Sequence, residues 1–162
     1  MTLANLNACD RSSFVNAIGW VFERSPWVAE RAWAHRPFAT INALHDAMTR
    51  ELAAAGADER LALLRAHPDL GAKVKMSSAS LSEQAGAGLE RLTPAEFDTL
   101  HRLNAAYREK FGFPFLYAVK GSTKHDILNA LETRLALAPD EELNEALRQV
   151  SRIARFRLEE ML

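Results

Sequence analysis

A single cysteine, Cys9, among 162 residues leaves no intrachain disulfide, no thiolate zinc cluster and no CxxC redox pair to build. That suits a reducing compartment. No apolar run approaches the roughly 20 residues that span a bilayer, and residues 1 to 10 lack the basic start and apolar centre of a signal peptide. The ending Glu159-Glu160-Met161-Leu162 is not the Ser-Lys-Leu peroxisomal address. A cytoplasmic protein with no membrane contact is therefore expected. Charge of one sign is scarce too: 20 Lys and Arg against 21 Asp and Glu give a net charge of -1. A broad basic field for a phosphate backbone is missing, so nucleic acid is not an expected partner.

What is present describes a soluble globular chain, 48% hydrophobic and 25% charged. Its length fits one domain that buries roughly 70% of its unfolded surface. Apolar residues recur at spacings of three and four, as in Phe14, Ile18, Val21 and Phe22, then Ile41, Leu44, Met48 and Leu52, which is helical periodicity. Ser25-Pro26 reads as a cap before a first-turn proline, and Thr93-Pro94-Ala95-Glu96 as a capping box. These signals predict helices near 26 to 34 and 94 to 110, with others at 59 to 66, 123 to 137 and 140 to 161. In the last of these Leu143, Leu147, Val150, Ile153, Ala154 and Leu158 are expected on one face. No alternating run is long enough for a sheet. The expected fold is all-α, a single domain over residues 1–162 built as a bundle of about eight helices.

Two stretches interrupt the helical pattern. His67-Pro68-Asp69-Leu70-Gly71 ends a helix, because proline disfavours α geometry in the residue before it. From Phe111 to Gly121 the run Phe-Gly-Phe-Pro-Phe-Leu-Tyr-Ala-Val-Lys-Gly suggests a buried extended segment whose N–H and C=O groups must find partners.

Taken with Ser80-x-x-Glu83-Gln84-Ala-Gly-x-Gly88-Leu, Asn104-x-x-Tyr107, Lys110-Phe-Gly-Phe-Pro-Phe115 and Arg155-Phe-Arg157-Leu, the His67-Pro-Asp-Leu motif resembles the 2-oxo-4-hydroxy-4-carboxy-5-ureidoimidazoline (OHCU) decarboxylase family. The motifs occur in the family's order from about Asp10 onward. The resemblance implies a helical homodimer without metal or organic cofactor that decarboxylates OHCU to (S)-allantoin, the last step from urate. The substrate makes a cofactor unnecessary, because its carboxylate sits beside a ring C=N that can accept the electrons released with carbon dioxide. The protein must hold the carboxylate out of the ring plane, act on the neighbouring hydroxyl proton and protonate one face of the enol-like intermediate.

The same resemblance makes His67 and Glu83 catalytic, with Pro68, Ser80, Gln84, Leu116, Ala118 and Arg157 binding substrate. Each has a plainer reading. His67, with an ordinary pKa near ~6.5, suits proton transfer but could simply cap a helix C-terminus. Ser80 and Glu83 could form a capping box; Ser77 and Ser78 are alternative serines. In the family reading Ser80 donates to a substrate oxygen, Glu83 orients the ring nitrogens or the imidazole, and Gln84 bonds the urea-like edge. Pro68 shapes the wall, and main-chain groups around Leu116 and Ala118 meet the polar edge. Arg157 offers a planar fork or is an exposed helix charge, and Arg155 points elsewhere. Phe111, Phe113 and Phe115 read as core aromatics. Trp20, Trp27 and Trp33 read as core or dimer-interface residues. Lys73, Lys75 and Lys120 read as ordinary surface charges, and whether the loop from 73 to 80 closes over the pocket lies beyond the sequence. A metal site from His67, Asp69, Glu83 and His101 is disfavoured, since no HExxH or paired-histidine spacing occurs. Two other readings stand beside the decarboxylase: a non-catalytic helical binding module, and an enzyme acting on a related ureido or imidazoline compound.

Overall fold

The computed structural model describes residues 1–71 and 78–162. Among them are nine α-helices and no strand: α1 (Leu3–Ala8), α2 (Arg11–Ile18), α3 (Trp27–Ala32), α4 (Ile41–Ala54), α5 (Ala57–Arg65), α6 (Ser78–Gly86), α7 (Pro94–Phe111), α8 (Lys124–Leu135) and α9 (Pro139–Met161). The all-α expectation holds, with one helix more than about eight. The additional N-terminal helix α1 is held by a Thr2 capping box with Asn5, a start too short to show a repeat.

The chain divides into two compact units. One comprises Met1–Ala66 with Ser151–Leu162, the other His67–Val150. In the first, Phe14, Ile18, Val28, Leu44, Met48, Leu52, Leu63 and Leu64 are buried, as the three-and-four spacing requires. The helix expected to run on through Val21 and Phe22 instead ends at Ile18, where a 3₁₀ turn, Gly19–Val21, takes over. Ser25 does not cap α3: its hydroxyl donates to the Glu23 carbonyl at 3.0 Å. The Asn7 side chain closes a reciprocal pair with the Phe38 main chain, at 2.9 and 2.8 Å. Trp20, expected in a core or an interface, is 42% exposed and donates its indole N–H to the Ala17 carbonyl.

In the second unit α7 and α8 pack together. Both begin at capping boxes, Thr93 with Glu96 and Thr123 with Asp126, the first of them as the sequence predicts. α7 ends at Gly112 with a left-handed φ of 79°, and Lys110 then donates to the Leu135 and Leu137 carbonyls at 2.7 and 2.9 Å. The Leu135 carbonyl is a helix-end acceptor that α8 leaves open. Phe113 and Phe115 are buried with Tyr107, whose ring meets those of Phe111, Phe113 and Phe115 at 4.6, 5.9 and 5.4 Å. Along α9 the buried apolar row is Ala146, Val150, Ala154 and Leu158. Leu143, Leu147 and Ile153 are half-buried, so the stripe is rotated from the face read off the leucines. No described helix is long and apolar enough to cross a membrane.

Candidate active site

The turn at 67–71 is fixed from three sides within its unit. Gln84 Oε1 accepts the Gly71 N–H at 2.9 Å, Asn104 Nδ2 donates to the Leu70 carbonyl at 3.0 Å, and Arg108 pairs with Asp69 at 3.0 Å. Gly71 sits at φ +72°, and a Cβ there would stand 2.7 Å from Leu100 Cδ2. A side chain would therefore meet both backbone strain and a packed leucine. His67 opens this turn with 7% exposure, two residues past the end of α5 at Arg65.

Ser80, Glu83 and Gln84 lie inside α6, so Ser80 is not its N-cap and the capping-box reading of Ser80 and Glu83 is ruled out. Positions 80 and 84 fall one turn apart and share a face; both are buried, and Glu83 beside them is half-buried. The Gln84–Gly71 bond joins this helix to the histidine turn. Ser78 is exposed at the start of α6, while Ser77, Lys73, Lys75 and most of the 73–80 loop lie outside the described residues. A cleft of about 520 Å³ is lined by Gly71, Gln84, Leu81, Leu89, Leu92 and Phe97 with their neighbours; among its described lining residues Gln84 is the one expected substrate contact.

Leu116 and Ala118 are buried, and part of their main chain already has protein partners. The Leu116 carbonyl accepts from Arg134 Nη1, and the Ala118 N–H donates to Gln149 Oε1 at 2.9 Å. The sequence did not single out Arg134 or Gln149. Each sits on a polar-rich helix where only the third dimension separates a buried polar residue from a solvated one.

Arg157 belongs to the other unit and is 2% exposed, which overturns its reading as a solvent-facing charge. Its Nη2 lies 3.2 Å from Glu23 Oε2, itself 3% exposed, and its Nη1 donates to the Val21 and Trp20 carbonyls at 3.3 and 3.4 Å. The acid compensates the buried cation, a partner invisible in sequence because it comes from the opposite end of the chain. Arg155 pairs with Glu159 one turn on, at 2.7 Å, and does point elsewhere. Among the described residues no group of three His, Cys, Asp or Glu side chains is placed to hold a metal ion.

The turn that opens with His67 and the helix that carries Ser80, Glu83 and Gln84 are joined by the Gln84–Gly71 hydrogen bond. The family model described as OHCU decarboxylase matches residues 7–159. The 2-oxo-4-hydroxy-4-carboxy-5-ureidoimidazoline decarboxylase of Halalkalicoccus jeotgali is 46% identical over 161 residues, covering 99% of this chain and 92% of that protein. The uric acid degradation bifunctional protein of Bacillus subtilis is 43% identical over 161 residues, 99% of this chain and 33% of that longer protein. A crystal structure of (S)-allantoin synthase matches with a TM-score of 0.81 at 33% identity, covering 100% of this chain and 54% of that one. With a family match over nearly its whole length and full-length relatives far above 30% identity, the chain belongs to the OHCU decarboxylase family.

Proposed function

We propose that this protein decarboxylates 2-oxo-4-hydroxy-4-carboxy-5-ureidoimidazoline to (S)-allantoin without a metal or organic cofactor, closing the route from urate. The bond from the ring carbon to the carboxylate breaks, and its electron pair forms a carbon–carbon double bond as the imine π pair moves to nitrogen, which takes up a proton. The hydroxyl then loses its proton as the neighbouring carbon gains one, and the face of that last protonation sets the product's handedness.

The observation that carries this reading is the Gln84–Gly71 bond, which ties the turn bearing His67 to the helix bearing Ser80 and Glu83. His67 moves the proton, Glu83 orients the imidazole or the ring nitrogens, and Ser80 donates to a substrate oxygen. Gln84, whose Oε1 accepts the Gly71 N–H, bonds the ureido edge. Pro68 forms the wall, and Leu116 and Ala118 contribute main-chain groups. Arg157 holds ring or hydroxyl oxygens rather than the carboxylate alone, since gripping only the departing charge would favour the ground state.

Residues 1–162 act as one functional domain, and the protein works as a cytoplasmic homodimer. The family match running across both units supports the first statement, and the family resemblance supports the second. The near-neutral charge supports a small-molecule partner rather than nucleic acid. Addition of the protein to freshly generated OHCU in the presence of EDTA tests the function. Rapid growth of one allantoin enantiomer in circular dichroism supports it. A racemic product at the protein-free rate leaves a binding module or an enzyme for a related ureido compound.

A further inference from the structure

The segment at 113–119 has no helix or sheet to define it, yet its rings alternate as in an extended chain. Phe113 and Phe115 both reach the Tyr107 ring, and the rings of Phe115 and Tyr117 stack 6.0 Å apart. In extended backbone, Leu116 C=O and Ala118 N–H are the pair that one residue of a parallel neighbouring strand would bond. Here two side chains take that strand's place: Arg134 donates to the carbonyl and Gln149 accepts from the amide.

Arg134 is itself immobilised. It is 7% exposed, and Glu142, 0% exposed, accepts from its Nε at 2.9 and 3.2 Å and from its Nη2. Tyr107 donates to the same carboxylate, and the guanidinium carbon lies 4.5 Å from the Phe115 ring centre. Burial, reinforced by the bond to Glu142, pushes the Tyr107 phenol far upward, so it remains a donor. Replacing a buried ion pair by well-packed apolar side chains of similar volume is often neutral or stabilising. What those could not supply is a fixed donor for the Leu116 oxygen.

We propose that Arg134 and Gln149, with Arg134 clamped by Glu142 and Tyr107, are positioning residues that replace a neighbouring strand along one edge of 113–119 and set the register in which that segment's main chain meets substrate. This rests on the decarboxylase reading given above, in which the segment contacts the substrate.

Two variants test it. Arg134→Met with Glu142→Leu and Tyr107→Phe removes the ionic cluster without leaving a charge unpaired, and Gln149→Met leaves that cluster intact. Both are assayed well below their melting temperatures for kcat, KM and enantiomeric excess. A positioning role predicts a loss of kcat/KM between about ten- and a hundredfold, carried partly by KM, and a fall in the excess of the (S) product. Wild-type kinetics and stereochemistry in a folded variant, with only the melting temperature changed, overturn the inference. If the triple variant fails to fold, Gln149→Met decides alone. A wild-type protein no faster than the spontaneous reaction overturns the decarboxylase reading itself, and this inference with it.

Discussion

Glu83 and Arg157 separate two ways in which a charged residue can serve a site. Glu83 is half-buried on the same helix as Ser80 and Gln84, and Glu83→Gln should keep the fold while lowering kcat by about 10²–10⁴-fold, the usual span of acid–base assistance. A steady-state assay beside a thermal melt checks this; an unchanged kcat would remove Glu83 from the chemistry. Arg157 is bound into its own unit by Glu23 and two carbonyls, so Arg157→Ala should cost both stability, by about 3–5 kcal/mol for a stranded buried partner, and substrate affinity. Thermal melts set against KM read the two effects. The motifs pointed to both residues from sequence alone. Motif spacing says nothing about burial, however, so the exposed-charge alternative for Arg157 stayed open in the sequence, and Glu23 beside it closes that alternative. Arg134 and Gln149 carried no signal at all, because a polar residue on a helix announces its surroundings only after the helix is placed.

At the scale of elements, the Thr93 capping box was legible in the sequence, whereas Ser25 resembles a cap and is not one. Thr93 accepts the Glu96 N–H at 3.1 Å, and Thr93→Ala should lower stability by about 1 kcal/mol, read from the midpoint of a denaturant melt. Glu96 adds a pH dependence. The hydrogen bond from Lys124, then that from the Thr93 amide, hold its carboxyl down to about 2, below the ordinary 4.5. Because the folded value is depressed, the stabilisation is complete above the unfolded value and fades as pH falls from 4.5 toward about 2. Wild type should therefore melt above Glu96→Gln at neutral pH, and the two curves should converge in acid. Gly71 shows what the sequence left unread: the turn was visible from His67-Pro68, but not that its last residue adopts φ +72° against Leu100. Gly71→Ala should raise KM and lower the melting temperature, since the displaced turn carries His67 and the Gln84 bond. Activity retained at full melting temperature would show that the turn tolerates the change.

For the whole molecule, helical class was legible because apolar spacing repeats through most of the chain, and the family because several motifs stand in order. The division at Ala66 and again at Val150 was not, since the second boundary falls inside the uninterrupted helix α9. The homodimer should appear in sedimentation at twice the 18.0 kDa chain mass, and a monomer that remains fully active would contradict it. In the proposed reaction His67 drives a cofactor-independent, stereoselective decarboxylation. The most direct measurement is the initial rate of optically active allantoin formation from fresh OHCU, with EDTA present, for wild type and a folded His67→Ala variant. Wild type should give fast (S)-allantoin, and the variant the slow racemic background. Equal rates and equal optical activity from the two proteins would contradict it.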